Sequence, residues 1–196
     1  MEQTQIYKLN IAYLGYPSKI WREVEVPENF PLSKLGFLII AIFDTRAQHI
    51  FHFNTENQFY SLPIPGEDLL DGEIDVYKVK LSDLKMEQDI PLYFIYDYGC
   101  EQNFVINFMG QKLMTKGQSS HYPVVTDGAG RGIIDDMFPE DFVVQVKQID
   151  ETGVASFMYD GMEVNPILWD YRDFDIKKIN RRLHDQIEHI QADYAF

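Results

Sequence analysis

The sequence lacks several features that would assign a compartment or a reaction directly. Cys100 is the only cysteine among 196 residues, so the chain cannot form an internal disulfide or a zinc site built from several cysteines. Its longest apolar run, Phe37 to Phe43, is far shorter than the roughly 20 residues that cross a bilayer. The first residues do not resemble a secretion signal. We therefore expect a cytoplasmic protein with no membrane partner.

Basic residues are also scarce, and no motif assigns a reaction. Seventeen lysines and arginines stand against 31 aspartates and glutamates, a formal net charge of -14. Nucleic acids are held by basic surfaces, so the charge of this acidic chain disfavours a nucleic-acid partner, although Lys177-Lys178 and Arg181-Arg182 form small basic clusters. The sequence contains no recognisable nucleophile motif, metal-ligand set or phosphate loop. It therefore predicts neither a catalytic residue nor a cofactor.

The residues that are present predict an α+β fold. Hydrophobic residues make up 45% of the chain, which is enough for a large core at this length. Helical spacing of apolar residues predicts a buried helix from about Pro31 to Phe43. Alternation or aromatic content predicts strands at 6–13, 20–26, 49–53, 57–60, 75–81, 91–96 and 103–109. This order indicates a mixed or antiparallel sheet with one packed helix, similar to a β-grasp fold.

The C-terminal part has different local signals. The run Asp127-Gly128-Ala129-Gly130-Arg131-Gly132 predicts irregular backbone. A segment that begins at Pro139 suits a helix, although its β-branched residues suit a strand equally well. Asp173 or Asp175 can cap a C-terminal helix with an apolar stripe. We expect residues 1–109 to form a sheet-and-helix core and residues 110–196 to form a glycine-rich loop and helical extension on the same domain.

His49 and Asp97 are the main candidates for chemistry. His49 could lie in a pocket with Asp97 as its hydrogen-bonding or metal partner, or it could be packed and bonded to a backbone carbonyl. Asp97 could act as a base if burial raised its pKa, but aspartate is also an ordinary turn residue. His49 and His52 point to opposite faces of a strand, and a metal needs three or four ligands. The sequence therefore predicts no metal site.

The other candidates each have a structural alternative. Trp21 could stack on a ligand or anchor the core, and Arg131 could contact an anion or pair with Asp127 or Asp135. Cys100 is not expected to be a nucleophile, because the neighbouring Glu101 opposes formation of a thiolate. The full set of candidate ligand-binding residues is Trp21, His49, Asp97, Tyr98, Asp127 and Arg131.

Several segments, in order along nearly the whole chain, match one family pattern. They are Ile20-Trp21-Arg22-Glu23-Val24 with Val26-Pro27, the helix Leu32 to Ile42, His49 to Phe53, Tyr96-Asp97-Tyr98-Gly99, Asp127-Gly128-Ala129-Gly130 with Asp135-Asp136, and Asp173-Phe174-Asp175 with Ile179 to Leu183. Together they resemble the family named after plasmid pRiA4b open reading frame three, some members of which are described as resolvase-like passengers of an insertion element. The resemblance implies the fold and a loose association with mobile elements, but no reaction.

The chain also departs from that pattern. After the hairpin glycine the family usually has a second aspartate, a tryptophan and a histidine, where this chain has Cys100, Gln102 and Phe104. The paired prolines of the later loop are replaced by Ile133-Ile134. These replacements remove groups that could take part in chemistry, so the resemblance is to a divergent member.

The leading hypothesis is a non-catalytic module that binds an unknown protein or small molecule through the hairpin and the glycine-rich loop. One alternative is a metal-dependent or hydrolytic enzyme that uses His49, Asp97 and the acids around Asp127 and Asp135. A second alternative, a mobile-element or nucleic-acid-associated accessory protein, depends only on the family resemblance. The oligomeric state is not predicted.

Overall fold

The computed structural model describes residues 4–115, 117, 119–159 and 166–195. The helices are α1 (Leu32–Ile42), α2 (Pro139–Thr152) and α3 (Ile176–Asp193). The strands are β1 (Gln5–Tyr13), β2 (Trp21–Pro27), β3 (Phe51–Asn54), β4 (Phe59–Ser61), β5 (Ile74–Asp75), β6 (Leu92–Tyr96), β7 (Gln102–Leu113), β8 (Val124–Ala129), β9 (Ser156–Tyr159) and β10 (Pro166–Trp169). The predicted α+β class is confirmed.

The main sheet has eight strands in the order β5-β4-β3-β6-β7-β1-β2-β8. Its neighbouring strands are antiparallel, except that β4 and β5 are parallel. β9 and β10 form a separate antiparallel pair. The sheet is therefore mixed, and its last strand, β8, comes from the C-terminal part of the chain.

Helix α1 lies between the sheet and α3, which explains why it is apolar on nearly every side. The ring of Phe37 is 5.8 Å from that of Phe51 in β3 and 5.5 Å from that of Tyr194 at the end of α3. A Cβ at Gly36 would lie 2.5 Å from the Phe51 ring, so glycine permits the close approach of helix and sheet. Burial of each large apolar side chain here contributes about 1.5–3 kcal/mol.

The predicted strand at 75–81 is wrong. β5 ends at Asp75, and Val76–Lys78 and Leu81–Leu84 form 3-10 turns. The Asp75 carboxylate accepts a hydrogen bond of 2.8 Å from the Tyr77 backbone N–H. Such a local side-chain bond competes with strand pairing, and alternation of residue types does not reveal it.

The expectation of irregular backbone across the whole glycine run is also wrong. Asp127, Gly128 and Ala129 belong to β8, which pairs with β2. A Cβ at Gly128 would lie 2.8 Å from the Trp21 carbonyl oxygen and 2.9 Å from Phe174. Gly128 is therefore required by close packing within a strand. Irregular backbone begins at Gly130, whose φ is 77°.

The segment that begins at Pro139, which suited either a helix or a strand, is a helix, and the predicted C-terminal helix is present. α2 begins at Pro139 and ends before Gly153, which has a φ of 71°. α3 has Asp175 as its N-cap, and the Asp175 carboxylate accepts a hydrogen bond of 3.0 Å from the Lys178 N–H. Its predicted apolar stripe buries Leu183, Ile187 and Ile190. In the described part of the chain, no helix has the length and apolar character needed to cross a membrane.

Candidate functional site

Three loops converge on His49. One loop joins α1 to β3 and contains Arg46 and His49, the second is the turn between β6 and β7 that begins at Asp97, and the third precedes α2 and contains Asp135 and Asp136. We call these five residues the His49 cluster. The three loops are far apart in the sequence, so only the fold brings them together.

The backbone around His49 is held by two tyrosines. The Tyr194 hydroxyl donates to the His49 carbonyl oxygen, and the Gln48 N–H donates to the Tyr96 hydroxyl at 3.2 Å. The Asp97 N–H donates to the Ile50 carbonyl at 3.2 Å. These bonds attach the loop both to α3 and to the β6–β7 hairpin.

The His49 ring lies between two carboxylates. Its Nδ1 is 3.4 Å from Asp97 Oδ1, and its Nε2 is 3.0 Å from Asp136 Oδ1. Because the ring nitrogens face carboxylates, the side chain is not the carbonyl-bonded core histidine that the sequence left open. His49 and Asp97 are thus neighbours, as one of the sequence interpretations required.

Asp97 has the turn role that its sequence position suggests and also faces the cluster. Its φ is 59°, and its Oδ1 accepts a hydrogen bond of 3.0 Å from the Gly99 N–H. Aspartate tolerates this left-handed conformation and commonly bonds the backbone two residues ahead. The residue is only 4% exposed, so the turn holds a carboxylate inside the protein.

Asp135 and Asp136 bring two more carboxylates and are linked to Arg46. The Arg46 N–H donates to Asp135 Oδ2 at 2.5 Å, and its guanidinium contacts Asp136. The Asp135 side chain is only 3% exposed, whereas that of Asp136 is 55% exposed. Burial raises the pKa of Asp135, and the hydrogen bond from the Arg46 backbone partly opposes this rise.

Three buried polar atoms of the cluster have no hydrogen-bond partner among the described residues: His49 Nε2, Asp97 Oδ2 and Asp135 Oδ1. The approach of His49 Nε2 to Asp136 Oδ1, at 3.0 Å, therefore lacks the alignment of a hydrogen bond. A buried polar atom without a partner costs about 1–3 kcal/mol. Three in one place indicate a position suited to a ligand, an ion or ordered water.

The residues that replace the polar family groups near the hairpin have structural roles. Gln102 accepts a hydrogen bond of 2.8 Å from the Tyr13 hydroxyl and donates one of 2.7 Å to the Met137 carbonyl. Phe104 is in the core, where its ring is 4.7 Å from that of Phe43. Burial raises the pKa of the Cys100 thiol, and the negative charge of Asp97 raises it further. A protonated thiol is a weak nucleophile.

Tyr98 lies beside the cluster and faces a separate groove. Its hydroxyl is 2.9 Å from His52 Nδ1. Burial lowers the pKa of His52 and raises the pKa of Tyr98. The groove has a volume of about 230 Å³, and its lining includes Ile50, Leu62, Glu73 and Tyr98.

The remaining predicted site residues do not join the His49 cluster. Arg131 pairs with Asp44 at 2.9 Å and not with the aspartates that the sequence suggested. Asp127 is exposed on β8, and its carboxylate accepts a hydrogen bond from the N–H of Gly128. Trp21 is only partly buried, because β2 points its neighbour Arg22 into the core.

Arg22 is the most important residue that sequence reasoning missed. Its guanidinium is fully buried and lies between Phe43 and Phe174, at 4.9 and 4.5 Å from the ring centres. It donates to five backbone carbonyls, those of Trp21, Ile42, Ala129, Gly130 and Arg131. Burial lowers its pKa to about 9, so it stays charged at neutral pH. Alternation with Ile20 and Val24 places Arg22 on the core face and was the available signal.

Comparisons with known proteins agree with the sequence resemblance. A family model described as "Plasmid pRiA4b ORF-3-like protein" matches residues 5–179. The fold is similar to a crystal structure of a protein of unknown function from Methanosarcina mazei Go1, with a TM-score of 0.70 and 20% sequence identity, over 90% of this chain and 97% of that chain. At this identity the structural match shows the fold alone. The comparison with curated proteins found no match.

Proposed function

We propose that this chain, which belongs to the plasmid pRiA4b ORF-3-like family, is a non-catalytic binding module that takes a cationic ligand at the His49 cluster. The observation that supports this proposal is the group of buried polar atoms without hydrogen-bond partners: His49 Nε2, Asp97 Oδ2 and Asp135 Oδ1. Two of these atoms are carboxylate oxygens, which are natural partners for positive charge.

The charge of the cluster favours a cation. It contains the carboxylates of Asp97, Asp135 and Asp136, whereas Arg46 is its only permanently cationic member. The Asp97 and Asp135 side chains are almost completely buried, where charge is poorly screened. A bound cation would offset this excess of negative charge in a chain whose net charge is already -14.

The chemistry around the cluster supports binding without turnover. The pKa of the neighbouring Cys100 thiol is raised, which disfavours the thiolate that a nucleophile needs. The pKa of the nearby Tyr96 hydroxyl is raised by burial as well. Gln102 serves hydrogen bonding and Phe104 serves core packing. The alternative of a hydrolytic enzyme has less support from this set of residues.

A thermal-unfolding screen tests the proposal. The purified chain would be heated with chloride salts of divalent metals, with methylammonium or putrescine, and with sulfate or phosphate as anionic probes. We expect at least one cation and neither anion to stabilise the wild type. A ligand at a hundred times its Kd adds about 2.7 kcal/mol, which such a screen detects.

A double variant tests whether the stabilising cation binds at the His49 cluster. Asp97→Asn with Asp136→Asn removes two charges but keeps size and turn preference, so the stabilisation by the cation should disappear. The matched control, Asp71→Asn with Asp185→Asn, removes two exposed charges and should retain it. If no cation stabilises the wild type, or if the cluster variant responds as the control does, the proposal fails.

Four narrower expectations remain proposals. These are the kinship of the sheet to a β-grasp fold, the division into 1–109 and 110–196, a cytoplasmic location and an association with mobile elements. Charge complementarity also favours a small cationic ligand or a basic protein segment over nucleic acid as the partner, because phosphates would meet a carboxylate cluster.

A further inference from the structure

The His49 cluster has the donor spacing of a metal site. One ring nitrogen of His49 and one carboxylate oxygen each from Asp97 and Asp136 all lie within 4.8 Å of one another. Three donors that are each about 2.1 Å from one tetrahedral metal ion are about 3.4 Å apart. His49 Nδ1 and Asp97 Oδ1 already have this separation, at 3.4 Å, whereas a pair at the 4.8 Å limit has to close by about 1.4 Å.

The types of donor atom limit which metal ions the His49 cluster can bind. Carboxylates alone favour hard ions such as magnesium and calcium, whereas an imidazole nitrogen suits zinc, cobalt, nickel and iron. Asp135 Oδ1 is a further buried oxygen without a partner among the described residues, and it belongs to the residue adjacent to Asp136. One nitrogen with two or three oxygens is a set that first-row divalent metals accept.

The surroundings of His49 suit a bound ion. Its ring nitrogens already lie near the two carboxylates that would share the ion with it, at 3.4 Å for Asp97 and 3.0 Å for Asp136. The Asp136 side chain is 55% exposed, which leaves a path for an ion to enter from solvent.

We infer that the cationic ligand of the His49 cluster is a first-row divalent transition metal ion, bound by His49, Asp97 and Asp136. This inference rests on the proposed function and deepens it, because it names the chemical class of the cation. It also reverses the sequence expectation that no metal site forms. That expectation weighed Asp97 as a metal partner of His49, but the sequence does not show which of the acids near Asp135 faces the ring, so a third ligand was missing.

Titration of the full-length, chelator-treated protein with cobalt chloride tests the inference. We expect a single cobalt ion per chain, visible-region absorption that reports nitrogen and oxygen ligands, and much weaker binding of magnesium or calcium. His49→Gln and Asp97→Asn should each weaken cobalt binding by at least about tenfold, since loss of an outer-shell partner alone has that effect. His184→Gln, which changes an exposed histidine of α3, should bind cobalt as the wild type does.

The outcomes separate the two proposals. Stabilisation by organic cations without cobalt binding would overturn the metal assignment but leave the cationic-ligand proposal standing. Cobalt binding that is unchanged in both cluster variants would also overturn it. A lack of response to every cation would reject both proposals. Circular dichroism of each variant separates loss of a ligand from loss of the fold.

Discussion

The side-chain amide of Asn180 forms both hydrogen bonds that an additional strand would make to Val125. Asn180 Nδ2 donates to the Val125 carbonyl at 2.7 Å, and the Val125 N–H donates to Asn180 Oδ1 at 2.9 Å. Because β8 is the last strand of the sheet, these backbone groups would otherwise be open to pairing with another chain. Helix α3 therefore covers a sheet edge.

Asn180→Ala should lower the free energy of unfolding by about 1–3 kcal/mol, because it removes two hydrogen bonds worth about 0.5–1.5 kcal/mol each. Urea denaturation measures this. The neighbouring Arg181→Ala changes an exposed side chain and should cost less than about 0.5 kcal/mol. Equal stabilities of the two variants would show that the amide pairing contributes nothing.

Arg22→Met should destabilise the protein by at least about 3 kcal/mol, because it leaves five backbone carbonyls without their buried donor. Arg22→Lys should restore only part of the loss, since an ammonium group cannot reproduce the planar fork. Lys112→Met is the control, because Lys112 forms an exposed ion pair with Glu25 of little energetic value. Comparable urea midpoints for Arg22→Met and Lys112→Met would contradict the prediction.

Gly130→Ala should cost clearly more than Gly153→Ala. Both glycines have a left-handed φ, 77° and 71°, so both substitutions carry the same backbone strain of about 1–2 kcal/mol. A Cβ at Gly130 would also lie 2.5 Å from the Lys19 carbonyl oxygen, whereas nothing lies within 4 Å of one at Gly153. Thermal unfolding of the pair isolates the steric effect, and similar losses in both variants would exclude it.

Asp135→Asn should change the pH dependence of stability. Burial raises the pKa of Asp135 in the folded state above its ordinary value of 3.8, so the folded chain holds this proton more tightly than the unfolded chain does. The stability contributed by this group is therefore greatest below pH 3.8 and is lost as the pH rises through the folded-state pKa. The difference in unfolding free energy, wild type minus variant, should fall with rising pH. Gln148→Ala, an exposed change that removes no titrating group, should give a flat difference.

Tyr194→Phe should loosen the loop that contains His49, because it removes the hydroxyl that donates to the His49 carbonyl. We expect a loss of about 1 kcal/mol in stability and faster amide exchange in residues 45–50. Hydrogen–deuterium exchange with mass detection measures the second effect. Tyr77→Phe is the matched control for Tyr194→Phe. The Tyr77 ring also packs near Phe37, but the residue is 46% exposed. Unchanged exchange in the loop would mean that the hydroxyl does not hold it.

Local sequence patterns were sufficient to predict the elements whose structure depends on residues close in sequence. The alternation in β2, the apolar helix α1, the β6–β7 hairpin and the capped helix α3 were all predicted. The pattern was insufficient at Asp75, where a side-chain bond to Tyr77 replaces strand pairing, and at Gly128, where β2 and Phe174 approach closely. Neither contact leaves a periodic signal.

The candidate site was likewise predictable from the sequence only in part. His49 and Asp97 could be nominated from the sequence, and so could the acids near Asp135. The sequence could not show that Asp136 faces His49 while Asp127 lies elsewhere. Residues close in sequence can point in different directions, and loop conformation, which no periodicity reports, decides between them.

The sequence by itself determined the family, the α+β class and most helices and strands, because burial of apolar side chains imposes its period on the chain. Only the tertiary structure decided that three loops meet at His49, that the Arg22 guanidinium is hydrogen-bonded to backbone carbonyls and that Asn180 covers the sheet edge. Those contacts join residues that are distant along the chain, and their free energy depends on geometry that exists only after folding.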